Sequence, residues 1–356
     1  MISCVDLFCG VGGLTHGLAK AGINVVAGYD IDESCRFAYE ANNEAVFVNQ
    51  DVSTLTAEDI KSHWRSDEIS LLAGCAPCQP FSTYSRSSRK NKSDDKWELV
   101  RHFARIVAET NPELVTMENV AELTRHCVFS DFLSVLKEYS IWYSIVDCRD
   151  HSVPQTRKRL VLLASRLGAI ELRKARSIRC PTVKATISKL PKLEAGEADP
   201  NDAMHHACRL SPINLKRIRA SRPGGTWRDW PKSLRAYCHR EDSGETYPSV
   251  YGRMSWGDQA PTITTQCFGY GNGRFGHPEQ DRAITLREAA MLQTFPKTYR
   301  FLPRGEKVVF NVMGRLIGNA VPVRLGLAIG TTFVTHVTEY QRMNIRSSYN
   351  KDSNER

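Results

Sequence analysis

The sequence predicts a doubly wound α/β fold on a mostly parallel sheet, with a second, smaller and irregular domain set into it. Three observations predict it. Short apolar runs alternate with helix-spaced segments through the first 165 residues. Several of these runs are continuous rather than alternating, as in strands covered on both faces. From about residue 168 the pattern gives way to stretches such as "GEADPNDAMHHACRLSP" and "ASRPGGTWRDWPKS", rich in Pro, Gly and polar residues.

The strands are read, in order, from "ISCVDLF", "INVVAGY", "AVFV", "ISLLAG", "ELVTM", "YSIVDC" and "RLVLLA". Helical spacing falls between them in "LTHGLAKAG", "ESCRFAYEANN", "KWELVRHFARIVAET" and "SDFLSVLKEY". Regular structure resumes at "TLREAAMLQTFP", where Thr285 can cap a helix with Glu288 three residues on and Pro296 beyond its end. "VRLGLAIGTTFVTHVTEYQRM" reads as a closing helix, and the last residues as a frayed polar tail. The expected domains are 1–167, 168–280, a return over 281–340 and a tail over 341–356.

The composition is that of a soluble globular protein of 356 residues, 41% apolar and 24% charged. No apolar run approaches the roughly 20 residues of a membrane span, and "MISCVDLFCG" lacks the basic start of a secretory signal. Eleven cysteines, an odd number scattered from Cys4 to Cys267, point to a reducing cytoplasm and not to a disulfide framework. The net charge of +9 is concentrated: residues 157–179 carry eight basic residues against Glu171, and residues 209–240 carry nine against Asp229. With Trp227, Trp230 and Tyr237 interleaved, these stretches read as a polyanion footprint, or as a solvated basic face.

In doubly wound sheets, sites lie beyond the carboxyl ends of the strands. The first strand is followed by "DLFCGVGGLTHGL", in which Gly10, Gly12 and Gly13 allow a tight turn and close approach of a ligand. Thr15 stands where a third glycine of G-x-G-x-x-G belongs. Asp30, 20 residues after Gly10, ends the second strand where an acid can accept from ribose hydroxyls, and Asp51 ends the third in the same manner. Each acid alone also reads as a turn or helix cap. With no Lys in the turn, a nucleoside without a phosphate chain fits better than a nucleoside triphosphate.

The fourth strand leads into "GCAPCQPFS", for which three readings compete. A redox Cys-x-x-Cys pair would open a helix, whereas Pro77 and Pro80 bracket Cys78 and enforce an extended loop. A zinc site would need His205, His206 and Cys208 at unorthodox spacing. A nucleophilic Cys78 on a rigid loop fits the position best. Glu118 ends the fifth strand, either as a general acid or base or as a helix-start acid. Arg157 and Arg159 in "VPQTRKRL", two apart on an extended segment, could grip an anion or lie on the surface.

Taken in order, "DLFCGVGG", "GYDID", "QDV", "APCQPFS", "ENV", "QTRKR", "TLREAAMLQTFP" and "GNAVP" resemble the cytosine-5 DNA methyltransferase family over residues 6 to about 323. The resemblance implies a Rossmann-like methyltransferase fold with a target-recognition domain over 168–280. It implies that Cys78 adds to carbon 6 of a cytosine swung out of double-stranded DNA, so that carbon 5 takes the methyl group of S-adenosylmethionine, with no metal. Glu118 would bind the ring nitrogen and exocyclic amine, and Arg157 and Arg159 the carbonyl and a neighbouring phosphate, while Cys75 has no role in that scheme and would be a small packing residue. Phe8, Gly10, Gly12, Gly13, Asp30, Ile31, Asp51, Val52, Pro80, Asn319 and Val321 would hold the cofactor. Gln79, Ser82, Arg222 and Arg228 would touch DNA, with "RPGGTWRDWP" as a groove-reading or phosphate-binding loop. Many relatives carry Glu at the place of Asp30, and some a residue larger than Ile31. The implied protein is a cytoplasmic, monomeric modification enzyme, partnered by an endonuclease of the same site. The alternatives are a tRNA methyltransferase of the same family, whose usual Cys-Phe-Thr is here only "CFGY", and an inactive DNA-binding relative.

Overall fold

Each of the seven apolar runs becomes a strand of one sheet in the computed structural model, which describes residues 1–77, 97–173, 179–241 and 248–354, with side chains as far as 345. In chain order the elements are β1 (Ile2–Leu7), α1 (Gly13–Lys20), β2 (Asn24–Asp30), α2 (Arg36–Glu40), β3 (Val46–Asn49), α3 (Ala57–Lys61) and β4 (Ile69–Gly74). They continue as α4 (Glu98–Thr110), β5 (Leu114–Asn119), α5 (Cys127–Val135), β6 (Ser140–Asp147) and β7 (Lys158–Ser165). The strand order is β3-β2-β1-β4-β5-β7-β6. The chain works outward from β1 to β3 and then returns to lay β4 on the other side of β1. The order therefore reverses between β1 and β4, where such sheets open a crevice for ligands.

The sheet is mixed rather than parallel throughout, because β7 pairs antiparallel with both β5 and β6. This hairpin-like return has a direct consequence: the start of β7, not its end, lies at the edge where β1, β2, β4 and β5 finish.

Burial follows the continuous apolar patterns. All six residues of β1 and of β5 are buried. Helix α4 turns Val100, Phe103, Ile106 and Val107 inward at helical spacing, and Phe103 stacks on Phe132 of α5 with ring centroids 5.4 Å apart. Gly74 ends β4 beneath Phe103, and a Cβ there would stand 3.1 Å from the ring. Each such buried side chain contributes roughly 1.5–3 kcal/mol. Helix α5 starts earlier than its sequence pattern because His126 caps it, Nδ1 accepting from Val128 N at 3.4 Å.

By contacts the chain divides into two units: Met1–Asp147, Lys158–Ala175 and Val323–Arg356 form the first, and Cys148–Arg157 with Arg176–Pro322 the second. The second holds α6 (Val183–Ile187), a hairpin of β8 (Ala198–Asp199) and β9 (Asp202–His206), α7 (Pro212–Arg219), α8 (Leu286–Leu292) and α9 (Phe310–Asn319). The capping box of α8 forms as its sequence predicts: Thr285 Oγ1 accepts from Glu288 N at 3.1 Å and Glu288 Oε2 from Thr285 N at 2.7 Å. Arg282, fully buried, adds two bonds of 2.8 Å to the same carboxylate.

Helix α10 (Val323–Asn354) belongs to the first unit. It runs through most of the expected tail, since no Gly or Pro follows Gly330 to stop it. It packs on α1 through glycine: a Cβ on Gly17 would lie 2.5 Å from Val323 O, and one on Gly326 3.0 Å from Leu14 O. Residues Phe310–Ile345, which take in α9 and most of α10, pass a test of length and composition for a membrane span, as a buried core helix also does, and 61% of their most apolar window is buried. In α10 the buried residues Leu325, Ile329, Phe333 and Val337 recur at helical spacing.

Candidate active site

At the end of β1 the backbone of Phe8, Gly10 and Gly12 adopts φ of 59°, 52° and 82°. Glycine takes this region freely, whereas for Phe8 it costs of order 1 kcal/mol or more. Gly12 N donates to Cys9 O at 2.9 Å to close the turn, and Gly13 opens α1. Asp30 ties the end of β2 to this turn: its Oδ2 accepts from Gly10 N and its Oδ1 from Asp32 N, both at 2.9 Å. The two bonds hold the carboxylate at the rim of the glycine turn.

Asp51 caps the 3-10 turn Val52–Thr54, its Oδ1 accepting from Ser53 N at 2.8 Å. Ile31 is 50% exposed beside the acids. Val52 departs from expectation: its side chain is in the core, because the turn that Asp51 caps folds it inward. Among the described residues, a side chain on Gly10 would meet no atom within 4 Å. The turn thus borders space left open by the described residues, with acids and an apolar surface around it, which fits an adenosine-bearing cofactor.

Thr15, in place of the third glycine, has a task of its own. Its hydroxyl donates to the buried Asp6 Oδ2 at 2.7 Å and meets Tyr39 Oη at 3.1 Å. Burial pushes the Asp6 carboxyl up to about 7, against the Thr15 hydroxyl and with the charge of Asp30. The glycine that lets α1 approach a neighbour closely is Gly17, whose neighbour is α10.

The other half of the edge is formed by β4, β5 and β7. Gly74 pairs with Met117, so Cys75 and Glu118 follow side by side. Cys75 Sγ lies 3.0 Å from Glu118 Oε2. This corrects its reading as a packing residue: the neighbouring strand presents a carboxylate to it. Arg159, at the start of the antiparallel β7, brings Nε to 3.2 Å from Glu118 Oε1, with the glutamate side chain only 4% exposed. Oε1 is buried and receives no hydrogen bond among the described residues. Asn119 Nδ2 donates to Ala76 O at 2.9 Å, holding the strand exit just before Cys78. Cys78, Gln79, Pro80 and Ser82 lie outside the described residues. Sequence reasoning missed Cys75 and Asn119; their signal is the pairing of β4 with β5, which no single motif displays.

In the second unit Arg157 has a different occupation from the anion grip expected of it. It is buried, and its guanidinium donates to Ile263 O at 3.0 Å and Gly318 O at 3.4 Å. Gln155 Nε2 donates to Gln293 Oε1 at 2.7 Å, and Gln293 Nε2 to Ile317 O at 2.9 Å. The "QTRKR" and "LQTFP" segments therefore jointly brace the "GNAVP" turn, where Asn319 is exposed and Val321 buried.

Trp227 and Trp230 are not surface reading groups either. Both are 2% exposed and form a small core with Ile218 and Tyr270. The arginines around them are the outward groups: Arg228 lies over the Trp227 ring at 5.6 Å, and exposed Arg222 pairs with Asp229 at 3.1 Å. His205 is a structural residue, bonded to Thr285 Oγ1 at 3.0 Å and Pro191 O at 2.9 Å.

A reversed strand order, a glycine turn, acids at the ends of β2 and β3 and a buried carboxylate at the end of β5 are consistent with an α/β methyltransferase. Residues 2–335 match the C-5 cytosine-specific DNA methylase family, and the chain belongs to it. It is 48% identical over 353 residues to the Type II methylase M.HgiDII of Herpetosiphon aurantiacus, covering 96% of this chain and 98% of that protein. Identity to the Type II methyltransferase M1.HphI of Haemophilus parahaemolyticus is 29%, over 92% of this chain and 85% of the relative. A solved structure of an E. coli prophage-encoded protein shares the fold, with a TM-score of 0.71 at 22% identity over 95% of this chain and all of that one. The activity is DNA cytosine-5 methylation.

Proposed function

We propose that the protein methylates one cytosine within a short duplex DNA site, as the cytoplasmic, monomeric modification partner of an endonuclease that cuts the same site. The single observation that carries the chemistry is Glu118: a buried carboxylate at a sheet edge whose Oε1 faces the Arg159 charge at 3.2 Å and receives no hydrogen bond among the described residues. A buried acceptor held in an ion pair without a hydrogen bond has bonding capacity that a ligand donor can complete.

S-adenosylmethionine, when bound at the glycine turn, supplies an electrophilic methyl group. Asp30 would hold its ribose, Asp51 its adenine amine, and Phe8 and Ile31 the adenine faces. Cys78 adds through sulfur to carbon 6 of the everted cytosine, and the displaced electron pair makes carbon 5 nucleophilic. Glu118 in its protonated form donates to ring nitrogen 3 through one oxygen and accepts from the exocyclic amine through the other, so the charge that this attack develops is met by a proton at nitrogen 3. Once carbon 5 carries the methyl group, loss of its proton to a base expels the Cys78 thiolate and restores the aromatic ring. The basic second unit holds the duplex, with Arg222 and Arg228 among its phosphate anchors.

The test is transfer of labelled methyl to unmethylated genomic DNA by the wild type and by Cys78→Ser, followed by bisulfite sequencing. We expect 5-methylcytosine at one recurring short sequence and loss of transfer in the variant. A serine variant as fast as the wild type would remove the nucleophile, and scattered methylation would remove the specific site.

A further inference from the structure

The β4–β5 register places Cys75 beside the Glu118 side chain, and the two oxygens of that carboxylate are treated differently. Oε2 has Cys75 Sγ at 3.0 Å. Oε1 has only the Arg159 guanidinium, with Nε at 3.2 Å and no hydrogen bond among the described residues. Burial pushes the Cys75 thiol well above its usual range, and the charge of Glu118 adds to the rise, while Arg159 opposes it. At neutral pH the sulfur therefore keeps its proton and has one strong acceptor in reach. A hydrogen bond to a charged partner is about twice as strong as a neutral one.

We propose that Cys75 is a positioning residue: its S–H donates to Glu118 Oε2, fixes the plane of the carboxylate, and so reserves Oε1 for the substrate's exocyclic amine. The two cysteines of "GCAPCQ" then divide the work. Cys78 bonds to the base, and Cys75 sets the group that steadies the base during the attack. The proposal rests on the reading of Glu118 given above. It goes beyond that reading in assigning a role to a thiol that never touches DNA, and in making the two oxygens inequivalent.

Two measurements test it. In infrared difference spectra of wild type minus Cys75→Ala, the S–H stretch of Cys75 should lie below that of a free thiol. It should move up when the same difference is taken in a Glu118→Gln background. A band that stays at the free-thiol position, or that ignores Glu118, overturns the hydrogen bond whatever the enzyme's activity. In steady-state methyl transfer, Cys75→Ala should lower kcat by roughly tenfold to a hundredfold, as expected for loss of a hydrogen bond to a charged group. KM for DNA should stay within about twofold, because the bond matters during attack and not for docking. Cys75→Ser, which keeps a donor of similar reach, should recover kcat to within about threefold of wild type. A wild-type kcat in Cys75→Ala, or a serine variant as slow as alanine, overturns the positioning role. If Glu118→Gln itself keeps the wild-type rate, the reading of Glu118 falls instead, and the infrared band still reports whether the thiol bonds to it.

Discussion

Arg159 Nε stands 3.2 Å from Glu118 Oε1 on a neighbouring strand that runs the other way. The glutamate ends its strand and the arginine begins its own, so only the antiparallel pairing of β5 with β7 brings both to one edge. The pair is largely removed from water, and Arg159 Nη1 is held in turn by Lys158 O at 2.8 Å. A guanidinium satisfies two such partners at fixed angles, whereas an ammonium is a point charge. Arg159→Lys should therefore fold and lose methyl transfer by roughly tenfold or more. Arg159→Ala should in addition lower stability by about 3 kcal/mol, because it leaves a buried charge alone. Urea unfolding and labelled methyl transfer check the two effects, and a lysine variant of full activity would contradict the geometric argument.

The Asp6 carboxyl predicts how stability depends on pH. Burial raises its pKa to about 7 in the folded chain, from an ordinary value of 3.8. Between those values the folded state binds a proton that the unfolded state has released. Stability is therefore full below about pH 4 and falls as pH rises, reaching a loss of roughly 4 kcal/mol above pH 7. Asp6→Asn carries no titrating proton and can still accept from Thr15. It should gain stability relative to the wild type as pH rises from 5 to 8. His277, in the second unit, works in the opposite sense: burial lowers it to about 4, so its contribution is lost as pH falls below about 6.5. The difference between wild type and Asp6→Asn isolates Asp6 from it. Parallel denaturation curves for the two proteins at both pH values would sink this account.

What was legible in the sequence follows from which interactions are local. The seven strands and the Thr285 cap are set by runs and spacings within a few residues, and all appear where expected. The direction of β7 was not legible, because nothing in "RLVLLA" says which neighbour it pairs with. Arg159 was singled out by its motif, and not by the reversal that carries it to the site. Arg157, two residues away, looked equivalent, yet its partners Ile263 and Gly318 lie more than 100 residues downstream. The burial of Trp227 and Trp230 is hidden in the sequence for a related reason. In a segment without periodicity, aromatic residues among charges look like a reading surface until Ile218 and Tyr270 are known to enclose them.

The burial of both tryptophans decides which groups in the second unit can meet DNA. With the tryptophans buried, affinity in the second unit falls to cations that the aromatic core holds outward, such as Arg228 over Trp227 at 5.6 Å. Each cation that neutralises one phosphate releases counterions and contributes about 0.9 to the slope of log affinity against log salt. Arg228→Ala should therefore weaken binding of any duplex and flatten the slope by about 0.9. Arg222→Ala should do the same, reduced to the extent that Asp229, 3.1 Å away, already shields the charge. Trp227→Ala should act otherwise, lowering the stability of the unit by roughly 3–5 kcal/mol, as for emptying an aromatic site in a core. Fluorescence titrations of a labelled duplex at several salt concentrations separate these outcomes. If the slope is unchanged in both arginine variants, the phosphates are held elsewhere, and this basic stretch is the solvated face that its composition alone would equally allow.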